Sequence, residues 1–395
     1  MTDLYNPLHS LREGHWFKLI CGASFQHLPA VRNLTLAYAL AGADCIDVAA
    51  DPAVITVAQE ALQAAANLAS VTQDRELGFQ GLPWLMVSLN DGEDPHFRKA
   101  EFDPDLCPLD CTRPCEAICP AEAIVFQPPL NDFSGVIQDR CYGCGRCLPL
   151  CPTQQISTRS YGFTPEAIAP VIFEAGIDAI EIHTQVGRFN EFQRLWQAIA
   201  PSVGELKLVA ISCPDGEGLI DYLWALYDII QNTAIAPPNR TQDALPCSLI
   251  WQTDGRPMSG DIGDGATRAA VKLGQKVLAA NLPGYVQLAG GTNSHTVSKL
   301  RTLGLIKSEV FPLNQANADK AKHFIAGVAY GSYARVLLSP VLEQLELPEL
   351  MAQTPRVACL EDTPTLLWQA VDLAYDLVSQ LKSSIQLQQP ISKQV

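Results

Sequence analysis

Eight cysteines packed between Cys107 and Cys151 constrain this chain more than any other feature of its sequence. They form two groups of four. The first is Cys107-x3-Cys111-x3-Cys115-x3-Cys119-Pro120, and the second is Cys141-x2-Cys144-x2-Cys147-x3-Cys151-Pro152. The second group matches the bacterial ferredoxin run, in which three close thiolates wrap three irons of one cube. The fourth, followed by proline, reaches the cube of the other group. Crossed ligation therefore assigns Cys107, Cys111, Cys115 and Cys151 to cluster A, and Cys141, Cys144, Cys147 and Cys119 to cluster B. The expected cofactors are two [4Fe–4S] clusters on a ferredoxin-like module. Zinc is the competing reading, because Cys-x2-Cys pairs also build zinc ribbons. Two four-cysteine groups that each close with Cys-Pro are more specific than such pairs. Neither Asp nor His replaces a ligand, so a [3Fe–4S] centre is not indicated.

Small residues support the assignment. Gly143 and Gly145 let the backbone pass close to a cluster and aim N–H groups at its sulfurs. The segment Ala121-Glu122-Ala123-Ile124 resembles the short helix and strand of a ferredoxin repeat. The first group departs from the x2-x2 spacing, which changes the loop around cluster A without removing a ligand. The other five cysteines, Cys21, Cys45, Cys213, Cys247 and Cys359, are scattered and read as small buried hydrophobes.

With 48% hydrophobic and 17% charged residues in 395, a large core is available. A formal charge of −15 argues against a nucleic-acid footprint and against an anionic membrane surface. No stretch reaches the roughly 18 apolar residues of a membrane helix. Met1 to Phe17 mixes Asp3, His9, Arg12, Glu13 and His15 with apolar residues and has no signal core. The expected location is the cytoplasm, and the Gln-, Ser- and Lys-rich tail after Ser383 is expected to be flexible.

Around the cysteines, short apolar runs alternate with helical patterns. Strands are expected at Lys18–Gly22, Cys45–Ala49, Trp84–Leu89, Ala179–His183, Leu206–Ile211, Ser248–Gln252, Tyr285–Ala289 and Phe324–Ala329. Helices are expected at Leu28–Leu40, Ala53–Ala69, Pro165–Ala175, Glu191–Ala200, Leu219–Ile230, Ala266–Ala279, Thr296–Leu303 and Tyr333–Leu345. Eight such units fit an α/β fold of the (β/α)8 barrel kind. An open doubly wound sheet competes, but no Gly-x-Gly-x-x-Gly follows any of the strands. The resulting division is residues 1–91 for the first three barrel units and 92–163 for the inserted two-cluster module. Residues 164–346 supply the remaining units, and 347–395 a C-terminal helix and tail. In a barrel, a segment inserted after the third strand stands on the C-terminal face, over the mouth.

Two glycine-containing turns, Gly290-Gly291 and Gly331-Ser332, follow strands seven and eight, where barrels often bind phosphate. They are candidate residues for a flavin or phosphate ligand, and this stretch loosely resembles the flavin-mononucleotide barrels. Equally, they can be plain tight turns. Other polar residues expected at the rim are Ser24, Asp51, Asn90, His183, Asp215, Asp254 and Arg256. Asp254-Gly255-Arg256-Pro257 and Asp261-x2-Asp264 look chemical but also suit loop turns. No nucleophile–base pair emerges from spacing, so the catalytic set is unknown.

The run Cys107-Pro108-Leu109-Asp110-Cys111-Thr112-Arg113-Pro114-Cys115, the ferredoxin run at Cys141–Pro152 and the stretch Gly290–Arg335 resemble the cyanobacterial light-dependent period family. The N-terminal run from Leu36 to Pro52 is similar to that family too. The resemblance implies an iron–sulfur redox protein that conveys the light-dependent redox state to the circadian clock. Its implied partners are clock input and output components, including sensor histidine kinases. Three functions stay open at this point: a redox-sensing regulator acting through protein partners, an oxidoreductase passing electrons between the clusters and a flavin or substrate in the barrel, and a simple electron carrier.

Overall fold

The computed structural model describes residues 7–22, 28–74, 81–92, 98–108, 110–119, 123–126, 134–138, 141, 147–160, 165–233, 247–256, 265–307, 324–345 and 359–382. Eight parallel strands close into a barrel in chain order. They are β1 (Trp16–Gly22), β2 (Cys45–Ala49), β3 (Trp84–Asn90), β4 (Ala179–His183), β5 (Leu208–Pro214), β6 (Ser248–Asp254), β7 (Tyr285–Ala289) and β8 (Gly327–Tyr330). Closure is made by β1 on β8, with Trp16 opposite Gly327 and Lys18 opposite Ala329. The wall glycine is required there: a Cβ on Gly327 would lie 2.3 Å from the Trp16 carbonyl oxygen. The barrel and all eight expected strands are thus present. β5 differs most in its bounds. A 3-10 turn at Ala200–Glu205 delays its start, and it continues past Ile211 because Ser212 finds partners inside the barrel.

Side chains alternate in and out along each strand, so the interior is built in layers. The lowest layer is apolar and contains Trp16, Cys45, Trp84, Met86, Ala179, Leu208 and Ile250. Trp16 and Trp84 meet edge to face at 5.7 Å between ring centroids. A short helix, Pro7–Glu13, closes this floor with Leu11, a plug that its mixed polar sequence did not announce. The outward-facing residues join the surrounding helices in the main core, where Phe17 stacks between Tyr38 and Tyr330.

The C-terminal helix Pro364–Lys382 packs against the helices Leu28–Leu40 and Ser332–Leu345, covering the seam where the barrel closes. It is fastened at its end. Lys382 donates to both oxygens of buried Asp44 at 2.7 Å, while Asp44 accepts the Phe17 N–H at 2.7 Å. Among the described residues, no helix is long and apolar enough to cross a membrane.

His15 lies between the plug and β1, only 8% exposed. Burial, reinforced by the Lys382 ammonium, pushes its pKa from 6.5 down to about 4. The unfolded chain therefore takes up this proton near pH 6.5 and the folded chain only near pH 4. The resulting stability is complete above pH 6.5 and is lost as pH falls towards 4. We expect His15→Gln to flatten the acid limb of stability by on the order of 2 kcal/mol. Urea unfolding at pH 7.5, 5.5 and 4.5 checks this, and a variant whose pH profile tracks the wild type refutes it.

Candidate functional site

The cysteine segment leaves the barrel after β3 and returns before the helix Pro165–Glu174. Two four-residue strands, Arg98–Glu101 and Ser157–Ser160, pair antiparallel and form its neck, with Arg98 opposite Ser160. A second ribbon, Ile124–Val125 with Gly135–Val136, lies further out. The module has a small core of its own, built from Ala100, Cys115, Ile124, Val136, Cys147, Cys151 and Ile156. Cysteines supply much of that core, so its interior is arranged around sulfur.

Seven of the eight expected ligands lie among the described residues. Cys144, Gly143, Gly145 and the Ala121-Glu122 pair lie outside them, as do the expected rim residue Ser24, Pro257, Asp261, Asp264 and the tail after Ser383. Cys115 sits on the short helix Pro114–Ile118. Arg113, at φ 53°, turns the chain into that helix in a left-handed conformation. This turn uses the three-residue gap between Cys111 and Cys115, and it aims the Arg113 N–H at the Cys111 sulfur at 3.4 Å. The Arg113 guanidinium then lies over the Phe126 ring, 4.3 Å from its centroid.

Other described sulfurs of the module also accept backbone N–H bonds. Besides Cys111, Cys141 accepts from Ala100 at 3.3 Å, Cys119 from Ala123 at 3.2 Å, and Cys151 from Gln155 at 3.3 Å. Donors placed on sulfur favour the thiolate, the form that binds metal. Burial acts to raise the Cys151 thiol, yet the Thr153 hydroxyl and the N–H groups of Gln155, Ile156 and Thr153 bring it below the ordinary value. Cys107 and Cys115 are both raised, first by burial. Cys151 contributes to each shift by like-charge repulsion, Cys111 contributes at Cys107, and Cys107 contributes at Cys115. Cys107, Cys111, Cys115 and Cys151 therefore share one neighbourhood, although Cys151 belongs to the second group. Among the described residues, no three His, Cys, Asp or Glu side chains crowd around a single ion-sized point.

Inside the barrel, above the apolar floor, lies a polar layer that strand-by-strand reading did not single out. Lys18, Asp47, Ser88, Glu181, Ser212, Gln252 and Gln287 are all buried. The Lys18 ammonium is held by Glu181, by Asp47 at 2.8 Å and by the Gln252 carbonyl oxygen at 3.0 Å. Gln252 donates to Glu181 at 2.7 Å, Gln287 donates to Gln252 at 2.5 Å, and the Trp16 indole donates to Gln287 at 2.6 Å. Burial alone would favour a neutral lysine, but the two carboxylates outweigh it and raise the Lys18 pKa. The available signal was a charge standing alone in an apolar run, as in Phe17-Lys18-Leu19 and Ile180-Glu181-Ile182.

At the mouth, His183 Nε2 stands 3.1 Å from Glu181, and Asp254 accepts from the Ser212 hydroxyl. Asn90 accepts the Gly92 N–H at 2.9 Å. Asn90, His183 and Asp254 thus cap the polar layer. Two other rim candidates are engaged elsewhere: Asp51 accepts the Ala53 N–H at the start of a helix, and Asp215 pairs with Lys276 at 2.6 Å. Arg256 is exposed beyond the end of β6. A further cluster joins the module's root to the barrel. Asp91 accepts from the Thr184 hydroxyl and from Arg188 at 3.3 Å, and Thr184 meets the Tyr222 hydroxyl at 2.6 Å.

The Gly290-Gly291 turn and the Gly331-Ser332 turn flank one part of the rim, tied by the Thr292 hydroxyl donating to the Ala329 carbonyl at 2.6 Å. Both glycines of the first turn have positive φ, 66° and 90°. Their open side is occupied by protein backbone. A Cβ on Gly290 would lie 2.8 Å from the Arg256 nitrogen, and one on Gly291 would lie 2.8 Å from the Ala266 oxygen. Here glycine allows three loops to pack closely. Ser332 opens the last barrel helix and its hydroxyl accepts from Arg335 at 3.3 Å.

Comparison with known proteins adds to this geometry. Residues 107–162, which contain all eight cysteines, match the family described as LdpA Fe-S cluster-binding domain. Residues 171–380 match the family described as Light dependent period A C-terminal domain. The chain is 49% identical to "Light dependent period A" of Synechococcus elongatus over 379 residues, covering 96% of this chain and 94% of that protein.

The polar layer makes its own prediction. Lys18→Met keeps most of the unbranched stem but leaves Asp47 and Glu181 buried without their cation. Removing one partner of a buried ion pair costs about 3–5 kcal/mol. Burial already raises the Asp47 pKa, so part of the loss should be recovered under mildly acidic conditions, where that carboxyl takes a proton. Denaturant melts of wild type and variant at two pH values measure both effects. A loss below about 1 kcal/mol would show that water reaches the layer.

Proposed function

We propose that this chain, which belongs to the Light dependent period A family, carries two [4Fe–4S] clusters with crossed ligation and acts as a redox sensor in light-dependent control of the circadian period. The observation that carries the reading is the position of Cys151. It shares the neighbourhood of Cys107 and Cys115, and its sulfur sits in a fan of donors suited to a metal-bound thiolate. In this reading Cys107, Cys111, Cys115 and Cys151 hold cluster A, and Cys119, Cys141, Cys144 and Cys147 hold cluster B.

When bound, a [4Fe–4S] cluster supplies one-electron redox chemistry. The chain's own part is to hold and tune it. N–H groups of Ala100, Arg113, Ala123 and Gln155 point at ligand sulfurs, and such bonds favour the more negative state. The signal would pass to protein partners, the clock input and output components, in the cytoplasm. A change of about one charge per cluster can bias a contact only where it changes the balance between two arrangements.

A second reading, an oxidoreductase, is favoured by the polar layer beneath the mouth, since barrel chemistry takes place on that face. Lys18 is firmly protonated there, which suits electrostatic binding and opposes a nucleophilic role. Flavin released from the purified protein would favour this reading. A partner captured in one redox state only would favour the sensor.

Anaerobic reconstitution should give about eight irons and eight sulfides per chain, with interacting S = 1/2 centres in low-temperature EPR after reduction. Stoichiometric zinc with no iron uptake would contradict the assignment. Crossed ligation predicts that Cys151→Ala damages the cluster whose other ligands lie in the first group, while Cys119→Ala damages the other cluster. If Cys119→Ala spares the cluster held by Cys141, Cys144 and Cys147, each group feeds its own cube.

A further inference from the structure

We infer that the outer face of the first cysteine group is a docking surface for a carrier protein whose own contact face is an apolar patch ringed by lysines and arginines. The inference rests on the iron–sulfur reading above and adds where a partner meets the module and what chemistry selects it.

Apolar side chains are exposed beside the ligands. Leu106 is 59% exposed and immediately precedes Cys107, and Leu150 is 43% exposed and immediately precedes Cys151. Ile118, 37% exposed, precedes Cys119. The module's interior is small and already filled by sulfur and aliphatic groups, so these three gain nothing from folding where they stand. The sulfurs behind them are shallow, since Cys107 and Cys111 are only half-buried. A partner seated on Leu106 and Leu150 would therefore lie against cluster A's ligands.

Charge decides what kind of partner fits. Asp103, Asp105 and Asp110 are exposed around the same ligands, and Asp103 is close enough to act on Cys107. The described cations of the module keep their charge, and Arg113, which is exposed and acts on Cys107 more than Asp103 does, is outnumbered by the three aspartates. Arg113 lies on the Phe126 ring, Lys99 donates to the Gln138 carbonyl at 2.8 Å, and Arg159 faces Glu101 at 3.8 Å. Thiolate ligands also give a bound cluster negative charge. Exposed Leu106 and Leu150 next to Cys107 and Cys151, together with Asp103, Asp105 and Asp110, therefore suit a partner whose contact face is apolar and basic. Such complementarity fixes register and speeds encounter.

The test measures binding to the reconstituted full chain, with iron and sulfide verified, and uses ferricytochrome c as a basic probe. Calorimetric titration at low salt should give a Kd that weakens about tenfold or more at 0.2 M salt, as expected when charges drive encounter. Asp105→Lys with Asp110→Lys should weaken low-salt binding about tenfold while leaving the cluster absorption unchanged. Because the whole chain is acidic, a control carries the same charge change on the barrel, Glu217→Lys with Asp228→Lys, and should bind as the wild type does. Leu106→Ser with Leu150→Ser should weaken binding at both salt concentrations. Equal loss in module and barrel variants would mean general attraction to an acidic chain and overturn the docking face. An unchanged Kd in the module variant with intact cluster absorption also overturns it and leaves the iron–sulfur reading standing. Failure to take up iron overturns both.

Discussion

Hydrogen bonding of the first strand to the last is the constraint from which the rest of this molecule follows. Once β1 pairs with β8, every strand has two neighbours and all eight point the same way. Each strand-to-helix loop must then emerge on one face. The inserted cysteine module has no choice of side. It rises from Asn90 and Asp91 at the top of β3, beside the polar residues that cap the interior. Closure also removes exposed sheet edges, so a parallel sheet can exist here without an edge to protect.

A barrel interior is usually packed with branched apolar side chains. This one is divided, with tryptophans and aliphatic groups below and a hydrogen-bonded ionic layer above. Lys18 on β1 is held by Asp47 on β2 and Glu181 on β4, so one cation links strands that are not all neighbours. Burying three charges is costly unless their geometry is well satisfied. Here Ser88 donates to Asp47 at 2.6 Å, and Gln252 supplies both a donor and an acceptor. The layer ties strands from opposite sides of the barrel to one another through its interior.

Much of this was legible in the sequence, for physical reasons. Runs such as Cys45–Ala49 and Tyr285–Ala289 are short, apolar and bounded by turn residues, and long helical patterns separate them. The Fe-S-binding segment was legible because iron–sulfur ligation limits how cysteines can be spaced. Other features left weaker traces. The neck strands read Arg-Lys-Ala-Glu and Ser-Thr-Arg-Ser, with almost no apolar signal, and pairing across the insertion alone makes them strands. The plug at Pro7–Glu13 is amphipathic over too few residues to stand out. Gly290-Gly291 has the same signature whether a ligand or a neighbouring loop approaches, and in the fold the backbone of Arg256 and Ala266 approaches. Lys18 and Glu181 acquire their meaning only when closure brings their strands around a common axis.

The narrow neck also bears on how such a chain can be built. Because Arg98 and Ser160 lie side by side, the module leaves and re-enters the barrel through a single hydrogen-bonded doorway. The entropy of closing a loop grows only with the logarithm of its length. Whatever hangs beyond the doorway therefore makes little difference to the barrel's own chain statistics. The two parts keep separate cores, so changes in one need not be repaid in the other. The (β/α)8 body and its sulfur-rich appendage are free to drift at different rates, and the doorway is the natural seam at which one could be exchanged without redesigning the other.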